Sequence, residues 1–319
     1  MQYNQIKLLT LNIIENCDAA CCYCSYWRVK TTPPSFKDLI RAIDEAISMG
    51  AIGIRLSGGE PLLRNDLAHL VSYINIHGLI SMVCTSAKYN LNSLIELVDA
   101  GIDILSISLD TIEPGCFQNI RGYSITPVIS NIETLAKLRD RGFEIVISTV
   151  LTKLCIDGLC DLLEYAQQHD LVLNLTPFQT DGTKNMQRLI FKEYHHSFLN
   201  EAMLRVKESA SKGLRIINSD EYLDHVVNYL TLRKLPDGYM CQAGEATAII
   251  TAEGKVKLCH SLKPLPFRSL KESWLSREAD ELRKRMLRLD CPRCWLSCHA
   301  GMRRHIPHRY GREKIWEVI

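Results

Sequence analysis

The residues able to do chemistry here are cysteines, thirteen in 319 residues, and most of them gather in two places. Near the start, Asn16-Cys17-Asp18-Ala19-Ala20-Cys21-Cys22-Tyr23-Cys24 sets Cys17, Cys21 and Cys24 in a C-x3-C-x2-C spacing. Three thiolates this close in one loop can converge on a single metal centre. A structural zinc takes four protein ligands, so zinc would need a distant fourth. An iron–sulfur cube also normally takes four cysteines; with three, one iron stays open to an outside ligand, and an open iron is a place for chemistry.

Further along, an apolar run leads straight into Ser57-Gly58-Gly59-Glu60-Pro61. Paired glycines at a strand end let the backbone approach a ligand closely, and the adjoining carboxylate accepts hydrogen bonds from an ammonium group. A three-thiolate cube beside an ammonium-binding turn suits an amino-acid-like ligand that chelates the open iron. The competing reading is a zinc-stabilised barrel with a coincidental glycine turn.

The second cysteine group is Cys241, Cys259, Cys291, Cys294 and Cys298. Gly254 falls between the first two, as C-x12-G-x4-C, and the last three read C-x2-C-x3-C. Four thiolates complete a closed site, which is either zinc or a fully ligated [4Fe–4S] cluster.

These residues need a frame. Apolar runs at 6–13, 53–57, 79–85, 104–109, 144–151 and 171–175 read as strands, and helical patterns lie between them at 36–49, 67–76, 94–100, 128–141 and 159–169. The first helix places Leu39, Ile40, Ile43, Ala46 and Ile47 on one face and stops at Gly50, a C-terminal cap residue. Strand–helix alternation predicts a parallel sheet with right-handed crossovers. Six such units fall short of a closed eight-unit barrel, so the fold class is α/β, a partial (β/α)6 TIM-like barrel. Both chemical motifs then lie at C-terminal strand ends, where barrel sites form. Helical segments at 191–212 and 221–233 follow, and Leu235-Pro236-Asp237-Gly238 marks a boundary between domains 1–234 and 235–319. The second domain opens with a hairpin, 248–251 and 255–258, around Glu253-Gly254, followed by a charged helix over 270–289.

CDAACCYC followed by SGGEP resembles the radical S-adenosylmethionine (radical SAM) superfamily. The resemblance implies that Cys17, Cys21 and Cys24 hold a [4Fe–4S] cluster and that Tyr23 packs on the adenine of S-adenosyl-L-methionine. It further implies that Gly58, Gly59 and Glu60 take the methionyl amino group, and that Ser108, Asp110 and Thr149 approach the ribose and methionyl groups. The run IRLSGGEPLLRNDL is similar to the molybdopterin-precursor cyclase branch, but that branch's terminal cysteine spacing and double-glycine tail are absent, so the cyclase activity is not expected. The C-terminal cysteines resemble the annexes called SPASM and twitch domains, and the one-cluster twitch form fits five cysteines better. Cys241, Cys259, Cys291 and Cys294 are then the ligands of a second [4Fe–4S] cluster, with Cys298 the spare or a replacement for one of the CxxC pair. An external electron donor of the flavodoxin or ferredoxin type is implied.

Composition narrows the partners. A net charge of +2 gives no basis for bulk binding to nucleic acid or membrane. No apolar run reaches a membrane span and no export signal is visible, so a reducing cytoplasm is expected. Relatives with such annexes modify small natural products or ribosomally made peptides; no leader-binding domain fits before residue 17, which favours a small molecule as substrate. Cys22, Cys84, Cys116, Cys155 and Cys160 read as small buried hydrophobes; Cys84, Cys116 or Cys155 would donate a hydrogen atom if the reaction were an epimerisation. Arg28, Lys30, Arg55 and Arg64 are candidates for a bidentate grip on the methionyl carboxylate. The tail over 299–314 reads as a solvated basic strap.

Overall fold

A computed structural model of the chain describes residues 5–179, 184–266 and 269–296. The barrel half runs β1 (Leu8–Ile14), α1 (Phe36–Ser48), β2 (Gly53–Gly58), α2 (Leu67–Ile76), β3 (Ile80–Thr85), α3 (Leu91–Asp99), β4 (Ile104–Ser108), α4 (Pro114–Arg121), α5 (Thr126–Ala136), β5 (Glu144–Leu151), α6 (Leu159–Gln168) and β6 (Val172–Pro177). Then come α7 (His196–Ser211), β7 (Arg215–Ile216), α8 (Asp220–Leu232), β8 (Thr247–Ile250), β9 (Val256–Lys257), α9 (Leu270–Trp274) and α10 (Arg277–Leu287). The sheet order is β7-β6-β5-β4-β3-β2-β1-β8-β9. Every neighbouring pair is parallel except β8–β9. This is the expected partial barrel of six strand–helix units.

Local chemistry accounts for these elements. The Ser35 side chain caps α1 by accepting from Asp38 N, and Leu39, Ile43 and Ala46 are its buried face. The strands carry near-continuous apolar runs because helices cover the outer sheet face. On the inner face, Leu8, Ile80, Met82, Ile104, Val146, Val172 and Ile217 form a separate apolar cluster that fills the N-terminal end of the barrel. Two residues further along these strands, the same face becomes polar. The floor is therefore apolar and the upper interior polar.

Some expectations need correction. The helix expected over 270–289 is broken in two, because Ser276 turns its hydroxyl to Ala279 N and starts a new helix. The pattern over 128–141 ends as helix at Ala136 and finishes in a short 3-10 turn. Helix α4 and strand β7 were not anticipated: α4 is eight residues long and opens Pro114-Gly115, and β7 has two residues. The hairpin expected at the head of the second domain is present, but it forms no sheet of its own. Strand β8 lies parallel to β1, with Leu8 opposite Thr247 and Leu11 opposite Ile250.

Candidate functional site

The cysteine loop leaves the C-terminal end of β1 and is clamped there by the β2 turn. Gly59 N donates to Ile14 O at 2.7 Å and Glu60 N to Asn16 O at 3.0 Å. A Cβ on Gly58, whose φ is +129°, would sit 1.9 Å from Ile14 O, and one on Gly59 would sit 2.1 Å from Asn16 O. The glycine pair is thus demanded by backbone packed on backbone, before any ligand is considered. Within the loop, Cys24 N donates to Cys21 O at 3.2 Å. Cys21 is buried, and Cys17 and Cys24 are half-buried. Burial, reinforced by the nearby charges of Glu60, Cys21 and Cys24, pushes the Cys17 thiol up to about 11. Burial also raises Cys21, against the pull of Arg121.

Among the described residues no three Cys, His, Asp or Glu side chains converge tightly enough to hold a single metal ion. A cube asks for less convergence, because each thiolate binds its own iron. Three soft thiolates on one short loop fit that group.

The loop rests on a polar network that sequence reasoning only half found. Tyr23 donates its hydroxyl to Asp110 Oδ2 at 2.8 Å. Arg121 forks onto the same carboxylate, Nε to Oδ2 at 2.7 Å and Nη2 to Oδ1 at 2.9 Å, and Val150 N reaches Oδ1 at 2.9 Å. Asp110 is 1% exposed, so it anchors Tyr23 and Arg121 from within the protein. Arg121 is the member of this network that sequence reasoning missed, and no local pattern in the sequence pairs it with Asp110.

Glu60 is buried, and its carboxylate accepts from Leu62 N, Thr85 Oγ1, Ser86 N and Ser86 Oγ. Burial raises its pKa against those hydrogen bonds. A ligand ammonium would compete with these donors. Thr149 donates to Leu109 O at 2.7 Å. Ser108 stands half-buried at the end of β4, opposite Ser148 on β5.

Inside the barrel a cavity of about 190 Å³ is lined by Thr10, Arg55, Ser57, Cys84, Ser106, Ser148, Asn174 and Thr176. His260 and Leu296 line it too, from the C-terminal region. Arg55 Nε contacts Met82 Sδ at 3.4 Å. The Asn174 Oδ1 atom is buried with no hydrogen-bond partner among the described residues. Of the other arginine candidates, Arg64 is tied to Asp66 and the carbonyls of Ile13 and Pro34, and Arg28 lies over Trp27. Cys84 faces the cavity, whereas Cys116 is turned to Leu154 O and to Cys155 Sγ, 3.9 Å away. A larger groove of about 550 Å³ lies outside the barrel between α1 and the β8–β9 hairpin and holds none of the cysteines.

The C-terminal cysteines also come together. Cys241, Cys259, Cys291 and Cys294 line one small cavity with Tyr239, Met286 and Leu289. Backbone amides serve two of the sulfurs: Ala243 N lies 3.4 Å from Cys241 Sγ and Ser261 N 3.4 Å from Cys259 Sγ. The site is pinned to α8 by Trp295, fully buried and stacked on Tyr222. Their contacts are reciprocal, Trp295 Nε1 donating to Tyr222 O and Tyr222 OH to Trp295 O. Cys298 and the tail over 299–314 lie outside the described residues. Among the described residues, no helix is long and apolar enough to cross a membrane.

Comparison with known proteins bears on the barrel. Residues 11–166 match the profile of the Radical SAM superfamily. A probable GTP 3',8-cyclase of Methanococcus aeolicus is 26% identical over 272 residues, 80% of this chain and 85% of that one. A GTP 3',8-cyclase of Pseudomonas entomophila is 27% identical over 72% of this chain, which spans 63% of its length. Among solved structures, Streptococcus suis SuiB bound to S-adenosylmethionine superposes with a TM-score of 0.71 at 16% identity, over 88% of this chain and 68% of that one. The protein anSMEcpe with bound AdoMet gives 0.66 at 17% identity, over 89% and 83%.

Proposed function

For a chain whose barrel is that of the radical SAM superfamily, we propose an enzyme that removes a hydrogen atom from a small polar molecule held in the barrel cavity. Cys17, Cys21 and Cys24 hold a [4Fe–4S] cluster, and Tyr23 with the Gly58–Gly59–Glu60 turn, Ser108 and Thr149 surrounds the S-adenosyl-L-methionine that completes it. When bound, that pair supplies a 5'-deoxyadenosyl radical. Cys241, Cys259, Cys291 and Cys294 hold a second [4Fe–4S] cluster in a twitch-type domain, with Cys298 as the spare thiol. Four thiolates leave it no open iron, so it suits electron transfer and not substrate binding. An electron donor of the flavodoxin or ferredoxin type completes the system, in a reducing, cytoplasmic setting.

One observation carries this reading. Cys259 lines the annex cavity and its neighbour His260 lines the barrel cavity, so one step along the chain links the second cysteine site to the cavity proposed to take the substrate. Electron removal from a substrate radical gives net oxidation, and that short link supports it.

The test is anaerobic reconstitution with iron and sulfide, then assay of S-adenosylmethionine cleavage under reducing conditions. About eight irons per chain are expected, falling to about four in a Cys17/Cys21/Cys24 triple alanine variant that cleaves no cofactor. One tightly held zinc and no cleavage would overturn the reading.

A second reading is nucleotide cyclisation, favoured by the relatives named GTP 3',8-cyclase and by Arg55, a cation suited to phosphate, in the cavity. Cleavage stimulated by GTP would select it. Stimulation by a ribosomal precursor peptide would select peptide maturation.

A further inference from the structure

We infer that Arg121 is a positioning residue for the cysteine loop, the buried counter-cation of Cys21, and that Asp110 aims it. The inference rests on reading that loop as a cluster site. The last turn of α4 meets the loop at three points. Cys22 N donates to Ile120 O at 2.8 Å. Gly122, with φ +79°, comes so close to Ala20 that a Cβ there would lie 3.1 Å from the Ala20 carbonyl oxygen. Between these two contacts, Arg121 Nη1 points at Cys21 Sγ from 4.0 Å.

The rest of the guanidinium has no freedom to turn away. Nε and Nη2 are forked onto Asp110, a geometry that fixes the plane of the group. Asp110 is itself held by Val150 N and Tyr23 OH. The Arg121 charge also lies 5.4 Å from the centre of the Tyr23 ring. Arg121 is 7% exposed, so water screens its charge little. The arrangement delivers one positive charge to one ligand sulfur.

Net charge and hydrogen bonds to ligand sulfur are the protein's levers on a cluster's potential. The reduced cluster carries one more negative charge than the oxidised one. A cation beside Cys21 therefore favours the reduced form and raises the midpoint potential. Asp110 stands behind Arg121 and offsets part of that effect. A residue that merely braced the loop would carry no such sign.

The experiment is a redox titration of the reconstituted full-length protein, followed by electron paramagnetic resonance. The signal followed is the part of the reduced spectrum that changes when S-adenosylmethionine is added. Arg121→Gln is expected to lower the midpoint; Asp110→Asn, which has the same shape, keeps an acceptor oxygen to aim the guanidinium and removes the charge behind it, is expected to raise it. Arg121→Lys, which keeps the charge and loses the fork, stays closer to the wild type than Arg121→Gln. Shifts of the same sign in both neutralising variants, or no shift, overturn the inference and leave the cluster reading standing. A wild-type protein that binds no cluster overturns that reading instead. If Arg121→Gln retains no iron, Asp110→Asn decides alone: an unchanged or lowered midpoint overturns the inference.

Discussion

The two cysteine sites are built by opposite means. The first takes its thiols from one short loop, Cys17 to Cys24, and surrounds them with charge and hydroxyl: Glu60, Asp110, Arg121 and Tyr23. Each site keeps two cysteines half-buried, Cys17 and Cys24 in the first and Cys291 and Cys294 in the second, so exposure does not tell them apart. The second gathers its thiols from Cys241 to Cys294 and walls them with Tyr239, Met286 and Leu289. An open centre needs a polar frame, because ligands must enter and leave and the frame must hold its shape without being packed shut. A closed centre needs only its thiolates and a wall that holds them, here with Ser261 and Arg293 beside the apolar residues.

The largest way to break this comparison is to empty one site at a time. A Cys241→Ala/Cys259→Ala variant is expected to lose about four of about eight irons yet still cleave S-adenosylmethionine when reduced. Under the proposed function, product formation from substrate is expected to stop. Iron analysis and chromatography of 5'-deoxyadenosine check both halves. Loss of cleavage along with those irons would mean that the two sites do not work separately.

What was legible in the sequence follows the same division. The first site shows in the chain because its three cysteines are neighbours and its clamp, Ser57 to Pro61, sits directly at a strand end. The six strand–helix units show because apolar periodicity is local. The convergence of Cys241 and Cys259 was legible through the hairpin at Glu253-Gly254, but its docking beside β1 was not. A parallel edge pairing across some 240 residues leaves no local signature. Arg121 escaped for a related reason. Its helix is eight residues long, starts Pro-Gly and shows too few turns for a pattern. Asp110 was found by position, and its partner was not, since only the folded chain shows that the two are one fork.

A sharper test of the clamp is Gly59→Ala. The added methyl would lie 2.1 Å from Asn16 O and 2.4 Å from Glu15 O, so β1 and β2 must separate at their C-terminal ends. Overpacking of this kind costs about 1–3 kcal/mol or more. The first cluster is expected to load poorly while the annex keeps its irons. Chemical denaturation and iron analysis read the two effects separately, and equal loss from both sites would show that the turn serves the whole fold and not one loop.

On the annex side, Trp295→Ala removes a fully buried ring stacked on Tyr222, at a cost of about 3–5 kcal/mol. The loss should fall on Cys291 and Cys294, the neighbours of Trp295 in sequence, and lower the iron content of the second site alone. Unchanged iron with unchanged denaturation would remove Trp295 as the pin.

The smallest expected effect separates the two regions by acid. Helix α4, which carries Arg121, is capped by the Glu113 carboxylate accepting from Gly115 N at 2.9 Å and from Cys116 N. Those two backbone donors hold the Glu113 carboxyl below its ordinary range. Helix α10 is capped by Ser276, whose hydroxyl does not titrate in acid. For Glu113 the folded-state pKa lies below the unfolded one, so its stabilisation is complete above the unfolded value and is lost as pH falls through the folded one. From about pH 5 to about pH 3, amide exchange in α4 should accelerate relative to α10 once the intrinsic pH dependence is removed. Glu113→Gln should flatten that difference. Because Glu113 is exposed, the effect is modest, but its direction is fixed, and α4 and α10 loosening in parallel would show that the cap does not hold the helix that brings Arg121 to Cys21.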